Sequence, residues 1–333
     1  MTQDRTQPSG EDSLIARYFK PLATDPGAFG LVDDAAVLSS SGDDIVVTTD
    51  AIVEGVHYLA SDPPDTIARK ALRVNLSDLA AKGALPAGFV LTLALRSQED
   101  AWLRSFADAL GEDAESFACP LLGGDTVWTP GPQMISITAF GRVPKGRMVG
   151  RTGAKPGDRI LVTGTIGDAA LGLDVLKGGA AAAALASDAG AREVLVRRYR
   201  VPQPRNVLAQ AVRDQATAAM DVSDGLAGDL AKLCAASGVS ASVDVTRVPL
   251  SAAAAGLLAG NVVCVETLLA GGDDYEVLCT AAPAQSEALI AAGQATGVAV
   301  TAIGTIVEGH QRPRFLDGQG QELSLTRLSY SHF

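Results

Sequence analysis

The residues of this sequence best suited to chemistry are aspartates that stand at the ends of apolar runs, beside glycine, serine or threonine. Five places carry them. In Val32-Asp33-Asp34-Ala35-Ala36-Val37-Leu38 two carboxylates precede an apolar run; adjacent side chains on a strand diverge, so only one of the pair would face a common site. Val46-Val47-Thr48-Thr49-Asp50 is a β-branched run ending in two hydroxyls and a carboxylate, the hard oxygen donors that divalent cations take, and His57 follows. Asn75-Leu76-Ser77-Asp78-Leu79-Ala80 sets three mediocre helix formers inside a strongly helical segment, which points to a task for them. Leu121-Leu122-Gly123-Gly124-Asp125-Thr126 reads as a strand breaking into two glycines, whose amides could approach phosphate oxygens, with a metal-capable carboxylate after them. Ala219-Met220-Asp221-Val222-Ser223-Asp224-Gly225-Leu226 reads as a short strand turning into a helix whose first amides would point at an anion.

Each place has a blander explanation. Asp-Gly and Asp-Asp beside a strand make turns, Ser223 or Asp224 can cap a helix, and Asp78 can be a solvated helix residue. A lone His57 is more often packed or simply exposed, and Arg151, in a glycine-rich linker, is as often solvated. The repetition is harder to obtain from turn chemistry. Its physical reading is a site where several carboxylates clamp magnesium ions that neutralise a polyphosphate. The sequence has no G-x-x-x-x-G-K-[ST] loop, no G-x-G-x-x-G after a strand, and no H-R-D with D-F-G. Any nucleotide site must be built differently.

The elements that would position these residues alternate. Strands are predicted at 45–49, 89–95 and 134–143 and helices at 66–82 and 99–110, an α/β arrangement. The turn Lys155-Pro156-Gly157-Asp158 and the glycines before it interrupt the pattern, so the domain boundary is predicted near residue 149. The expected organisation is a loose tail over 1–12, an N-terminal domain over 13–148 and a C-terminal domain over 149–333. In the latter, strands are expected at 160–163, 242–245, 276–280 and 299–307 and helices at 168–176 and 206–219. The alanine- and glycine-rich stretch 178–191 reads as a loosely packed helical insertion.

The chain has 333 residues, 47% of them hydrophobic, more than one core usually organises. Its net charge of −11 repels a phosphate backbone and argues against nucleic-acid binding. No run of apolar residues is long enough for a membrane span, and the polar start lacks a signal-peptide layout, so a cytoplasmic location is expected. The four cysteines lack metal or redox spacing and read as reduced core thiols.

Taken together, the motifs resemble the thiamine-monophosphate kinase family across nearly the whole length. The likeness rests on Ser13 to Phe19, Asp33-Asp34, Thr48-Thr49-Asp50 with Val56-His57, Ala71 to Ala80 and Gly123-Gly124-Asp125-Thr126. It continues through Gly153 to Asp158, Asp221 to Leu226, Gly271-Gly272-Asp273-Asp274-Tyr275-Glu276, Tyr330 and His332-Phe333. The resemblance implies the two-domain α/β (α+β) fold of aminoimidazole-ribonucleotide synthetase, with the N-terminal domain pairing across a homodimer axis and ATP and metals between the domains. It implies that thiamine monophosphate and ATP become thiamine diphosphate and ADP with the help of several Mg²⁺ ions.

Carried over by position, the metal set would be Asp34, Thr48, Thr49, Asp50, Asp78, Asp125, Asp221 and Asp224. Of these, Asp50, Asp78, Asp125 and Asp221 would be the catalytic aspartates. Gly124, Asp125, Arg151 and Ser223 would contact ATP, and His57, Asp273 and Arg327 the acceptor. The sequence departs from the family pattern at Val32, where Gly is common, at Asp273, where Glu is frequent, and at Arg327, where Trp is frequent. Two alternatives stay open. One is a synthetase of the same fold that activates an amide or formyl oxygen as a phosphate, and the other is an ATP-binding regulator without turnover.

Overall fold

The computed structural model describes residues 15–25 and 42–329. The 1–12 tail, Val32, Asp33, Asp34, Tyr330 and the terminal His332-Phe333 lie outside the described residues. The chain divides into two compact units, one running up to Asn75 and taking in Pro86–Arg142, the other Leu76–Leu85 with Val143–Phe333.

The first unit is built on a four-stranded sheet of order β1-β4-β2-β3. Its strands are β1 (Asp44–Val53), β2 (Leu85–Leu95), β3 (Leu121–Trp128) and β4 (Met134–Val143), accompanied by α1 (Pro64–Ala81) and α2 (Asp100–Ser116). In β4 the residues Ile135, Ile137, Ala139 and Val143 are buried while their neighbours are half-exposed, the period-2 signature of a sheet with one covered face. Helix α2 buries Leu103, Phe106, Ala107, Leu110 and Ala114, one stripe at helical spacing. Buried Asp113 on the same helix is held by Arg69 at 2.6 Å and by Arg73 at 2.6 Å. Unpaired, that carboxylate would be costly to bury.

Two expectations change here. Strand β1 does not end at Asp50 but continues to Val53. Nor do the glycines break β3, which runs straight through Gly123 and Gly124. The parallel partner β2 explains the second glycine, because a Cβ on Gly124 would come within 2.0 Å of the Leu91 carbonyl oxygen. Close strand approach, rather than a turn, requires glycine there.

The second unit holds a six-stranded mixed sheet of order β10-β7-β9-β5-β8-β6. Its strands are β5 (Arg159–Thr163), β6 (Ala218–Asp221), β7 (Ser240–Asp244), β8 (Val277–Ala281), β9 (Val300–Val307) and β10 (Arg314–Leu316). The helices are α3 (Asp168–Leu176), α4 (Ala180–Ala184), α5 (Ala189–Arg200), α6 (Ala209–Gln215), α7 (Leu226–Ser237), α8 (Ala252–Ala259), α9 (Val265–Leu269) and α10 (Pro283–Thr296). Alternate residues of the central strands enter different cores. Ile160, Val162, Met220 and Leu278 join Leu226, Leu230 and Leu233 of α7. Leu161, Ala219, Val277 and Cys279 join Val212 of α6, Leu289 of α10 and Ala80-Ala81 of α1. Burial on both faces explains why these strands read as continuous apolar runs.

The helix expected over 206–219 is instead a short 3-10 turn (Asn206–Leu208), α6, and then β6. Thr217 N–H donates to the Thr280 carbonyl at 2.7 Å, and Ala218–Asp221 pair antiparallel with β8. Sheet pairing overrides the helix preference of the alanines. The alanine-rich insertion forms α4 and the start of α5, and Ala181 N–H donates to Asp174 at 2.7 Å. All four cysteines are free, but Cys264 is exposed, contrary to the expectation of a core thiol. Among the described residues no helix is long and apolar enough to cross a membrane.

Candidate active site

In the first unit Thr48, Thr49 and Asp50 lie on β1, with Asp50 exposed. Their backbone is fixed from two sides. Asp50 N–H donates to Asn75 Oδ1 at 3.1 Å, and Asn75 Nδ2 donates to the Ala71 carbonyl at 3.0 Å within α1. Thr49 Oγ1 donates to the Ile137 carbonyl at 3.2 Å and accepts from Thr138 Oγ1 at 2.9 Å. The fully buried Asn75 thus has a task, as its poor helix propensity suggested: it braces the strand that carries Asp50. After β1 the chain turns at Gly55 to His57, whose Nδ1 accepts a 3.0 Å bond from Val53 N–H. A neutral ring so bonded carries its proton on Nε2. Lys70 Nζ donates to the His57 carbonyl at 2.8 Å and fixes the turn.

Gly124 and Asp125 are exposed on β3, where Asp125 is level with Thr92 of β2. Strands β1 and β3 are the two edges of the sheet. Three strand spacings of about 4.8 Å put β1, with Asp50, and β3, with Asp125, roughly 14 Å apart along it. The sheet of one chain therefore does not bring these two carboxylates together.

In the second unit the candidates converge. Asp78 lies in the last turn of α1 and Lys82 just past its end, its N–H donating to the Asp78 carbonyl at 2.9 Å. Lys82 Nζ donates to the Ala219 carbonyl at 2.7 Å, and the segment before Arg151 is tied in by Val149 N–H to the Lys82 carbonyl and Ala219 N–H to the Gly150 carbonyl. Burial, then the Arg151 charge, pushes the Lys82 ammonium pKa below the ordinary range, while Asp221 and Asp78 oppose the shift. Asp78, Lys82, Arg151 and Asp221 thus share one neighbourhood. Sequence reasoning missed Lys82, and its only signal was its place four residues after Asp78.

Past Asp221 the Ser223 and Asp224 amides donate to Asp229 Oδ2 at 3.0 and 2.9 Å. The loop amides that were expected to face an anion already have an internal carboxylate. Asp229 is buried, which raises its pKa, and Lys232 holds it at 2.9 Å while also pairing with Asp224.

The loop is zipped to a second motif by its main chain. Asp273 N–H donates to the Ser223 carbonyl, Tyr275 N–H to the Val222 carbonyl and Val222 N–H to the Glu276 carbonyl, each at 2.8 Å. Asp221, Ser223, Asp224 and Asp273 are thereby brought onto two adjacent segments. Glu276 is fully buried and accepts from Thr163 at 2.6 Å, Arg198 at 2.7 Å and Arg205 Nε at 2.6 Å. Asp274 is also fully buried, and its carboxylate takes the Gly167 amide at 3.0 and 2.9 Å. Burial drives its pKa well above the usual carboxylate range, against the Gly167 N–H and Arg198. Arg327 is exposed, and its N–H donates to Glu266 of α9 at 2.9 Å, as does Thr326 N–H at 3.2 Å.

Among the described residues no three His, Cys, Asp or Glu side chains form a ready-made metal cluster. The expected metal set is divided: Thr48, Thr49, Asp50 and Asp125 stand in the first unit, and Asp78, Asp221 and Asp224 in the second.

Comparison with known proteins adds independent information. Residues 32–143 match AIR synthase related protein, N-terminal domain, and residues 155–314 match AIR synthase related protein, C-terminal domain. The thiamine-monophosphate kinase of Caulobacter vibrioides is 45% identical over 331 residues, covering 98% of this chain and 91% of that protein. The crystal structure of thiamine-monophosphate kinase from Stenotrophomonas maltophilia superposes with a TM-score of 0.82 at 38% identity, covering 94% of this chain and 96% of that one. A structure of AaThiL complexed with AMPPCP and TMP superposes with a TM-score of 0.76 at 28% identity, covering 92% and 97%.

Proposed function

This chain belongs to the thiamine-monophosphate kinase family, and we propose that it transfers the γ-phosphoryl group of ATP to the phosphate of thiamine monophosphate, yielding thiamine diphosphate and ADP. The observation that carries this reading is the main-chain zipper between Val222-Ser223 and Asp273 to Glu276. It runs the segment that carries Asp221 and Asp224 alongside the one that carries Asp273, the acid that the resemblance assigns to the acceptor. The relative bound to AMPPCP and TMP supports the same pair of ligands.

The acceptor needs little activation, because a phosphate monoester with a second pKa of ~6 is mostly dianionic at neutral pH. The obstacle is repulsion between two anions. The donor set of Asp50, Asp78, Asp125, Asp221 and Asp224 with Thr48 and Thr49 is all hard oxygen, which fits Mg²⁺. Asp221 and Asp78 favour the charged form of Lys82, against burial and the Arg151 charge. Magnesium ions bound by this set would supply the positive charge that lets the phosphates approach. Lys82 and Arg151 add fixed cationic charge beside Asp221, and Ser223, Gly124 and Asp125 are assigned to ATP. His57 presents an Nε2 proton suited to an acceptor phosphate or aminopyrimidine. Positioning and charge, with in-line displacement and no general base, account for a site rich in aspartate.

We further propose a cytoplasmic homodimer formed by the N-terminal sheet. Pairing β1 with β3 of a second copy would hide both edges and bring Asp50 next to Asp125 of the partner subunit, which one chain alone keeps apart. The functional test is an acceptor panel. Purified protein with ATP and Mg²⁺ should release ADP with thiamine monophosphate, but not with free thiamine or aminoimidazole precursors. ADP release driven by the precursors instead would assign the chain to the synthetase chemistry of the fold.

A further inference from the structure

The segment Asp273-Asp274-Tyr275-Glu276 alternates in burial and in strain. Asp274 and Glu276 are fully buried, whereas Asp273 and Tyr275 are only half-buried. Those outer two have left-handed backbones, with φ of +70° at Asp273 and +49° at Tyr275. Aspartate tolerates this region, but for a bulky aromatic residue it is a true outlier. Three features hold it: the buried anchor of Asp274 on Gly167 N–H, that of Glu276 on Arg198 and Arg205, and the amide of Tyr275 on the Val222 carbonyl. Glycine would take the same backbone without strain. A surrounding structure that over-determines a strained tyrosine directs attention to its side chain, since strain of this kind gathers at ligand-binding sites.

An aromatic ring two residues from a carboxylate is the chemistry that recognises a cationic heteroaromatic ring: the π-face attracts the cation and the acid adds charge complementarity. Arg327, assigned to the acceptor by the resemblance, offers a guanidinium that repels such a cation. We propose that Tyr275 is a specificity-determining residue whose ring takes the cationic thiazolium of the acceptor, with Asp273 beside it. This inference rests on the kinase reading above and names the part of the site that distinguishes the acceptor.

The test is steady-state kinetics with thermal melting on wild type, Tyr275→Phe, Tyr275→Leu and Tyr275→Gly, varying thiamine monophosphate and ATP separately. Tyr275→Phe should stay within about twofold of wild type. Tyr275→Leu and Tyr275→Gly should raise KM for thiamine monophosphate about five- to thirtyfold, the range of a partly desolvated cation–π contact, with kcat and KM for ATP nearly unchanged. Because glycine takes this backbone without strain, the melting point of Tyr275→Gly separates loss of the ring's contact with the acceptor from general destabilisation. Wild-type KM for the acceptor in the Leu and Gly variants overturns the inference. So does a joint rise of both KM values with a lowered melting point, the mark of a merely structural tyrosine. Absence of ADP formation by the wild type on thiamine monophosphate overturns the kinase reading itself and this inference with it.

Discussion

At the scale of single residues, the aspartates are not equivalent. Asp50 and Asp125 are exposed on edge strands, with Asn75 bracing the first, while Asp221 is buried at the end of β6. Exposed carboxylates on rigid strands can be neutralised with little effect on folding. Asp50→Asn and Asp125→Asn should therefore keep the wild-type melting temperature while kcat falls about a hundredfold or more, the scale of losing a main electrostatic stabiliser. Near wild-type turnover in both variants would remove the metal-cage reading. Asp274 behaves differently. An ordinary carboxylate titrates near pH ~3.9, whereas burial raises the native value well above this. The native state then binds more protons than the unfolded chain over the window above about pH 4, so stability is lost as pH rises towards the native pKa. Asp274→Asn lacks this titration. Urea midpoints between about pH 4.5 and 8 should show the wild type losing ground relative to Asp274→Asn as pH increases, and a constant difference would contradict the shift.

At the scale of elements, legibility followed the strength of periodicity. Strand β4 and helix α3 have the predicted bounds, 134–143 and 168–176, because period 2 in one and an apolar helix ended by Lys177-Gly178 in the other leave little ambiguity. The segment 206–219 reads as one helix because Ala218-Ala219 favour a helix locally, and only the distant partner β8 makes them a strand. Gly123-Gly124 reads as a break in the strand for a related reason: Leu91, which demands a glycine at 124, is remote in sequence. The candidate aspartates could be named from the chain. The roles of Asp229, Lys82 and the Glu276 anchor could not, since each depends on partners that the fold supplies. Glu276 should be the most sensitive of these. Breaking a buried ionic cluster costs about 3–5 kcal/mol, so Glu276→Ala should lower the urea-unfolding free energy by that amount, and a loss under about 1 kcal/mol would mean the cluster is not structural.

At the scale of the whole molecule, the edges of the N-terminal sheet are conspicuous. Val47 on β1 is 58% exposed, and Trp128 on β3 is 71% exposed. Apolar edge strands of this kind invite pairing, and a two-fold closing β1 on β3 would satisfy both at once. Sedimentation at micromolar concentration should give about twice the 34.0 kDa chain mass. Trp128→Glu should shift the protein towards monomer and lower activity together, because Asp50 and Asp125 would no longer meet. A fully active monomer would refute the shared site.

The net charge of −11 sharpens the central question, because an acidic protein is proposed to bring together two anionic substrates. The most direct measurement follows the transferred group itself. Incubation with thiamine monophosphate, Mg²⁺ and ATP labelled in the γ-phosphoryl group should give thiamine diphosphate with the label in its terminal phosphate, one ADP per product, and none when EDTA is in excess. Label recovered only as inorganic phosphate, with thiamine monophosphate unchanged, would contradict the account.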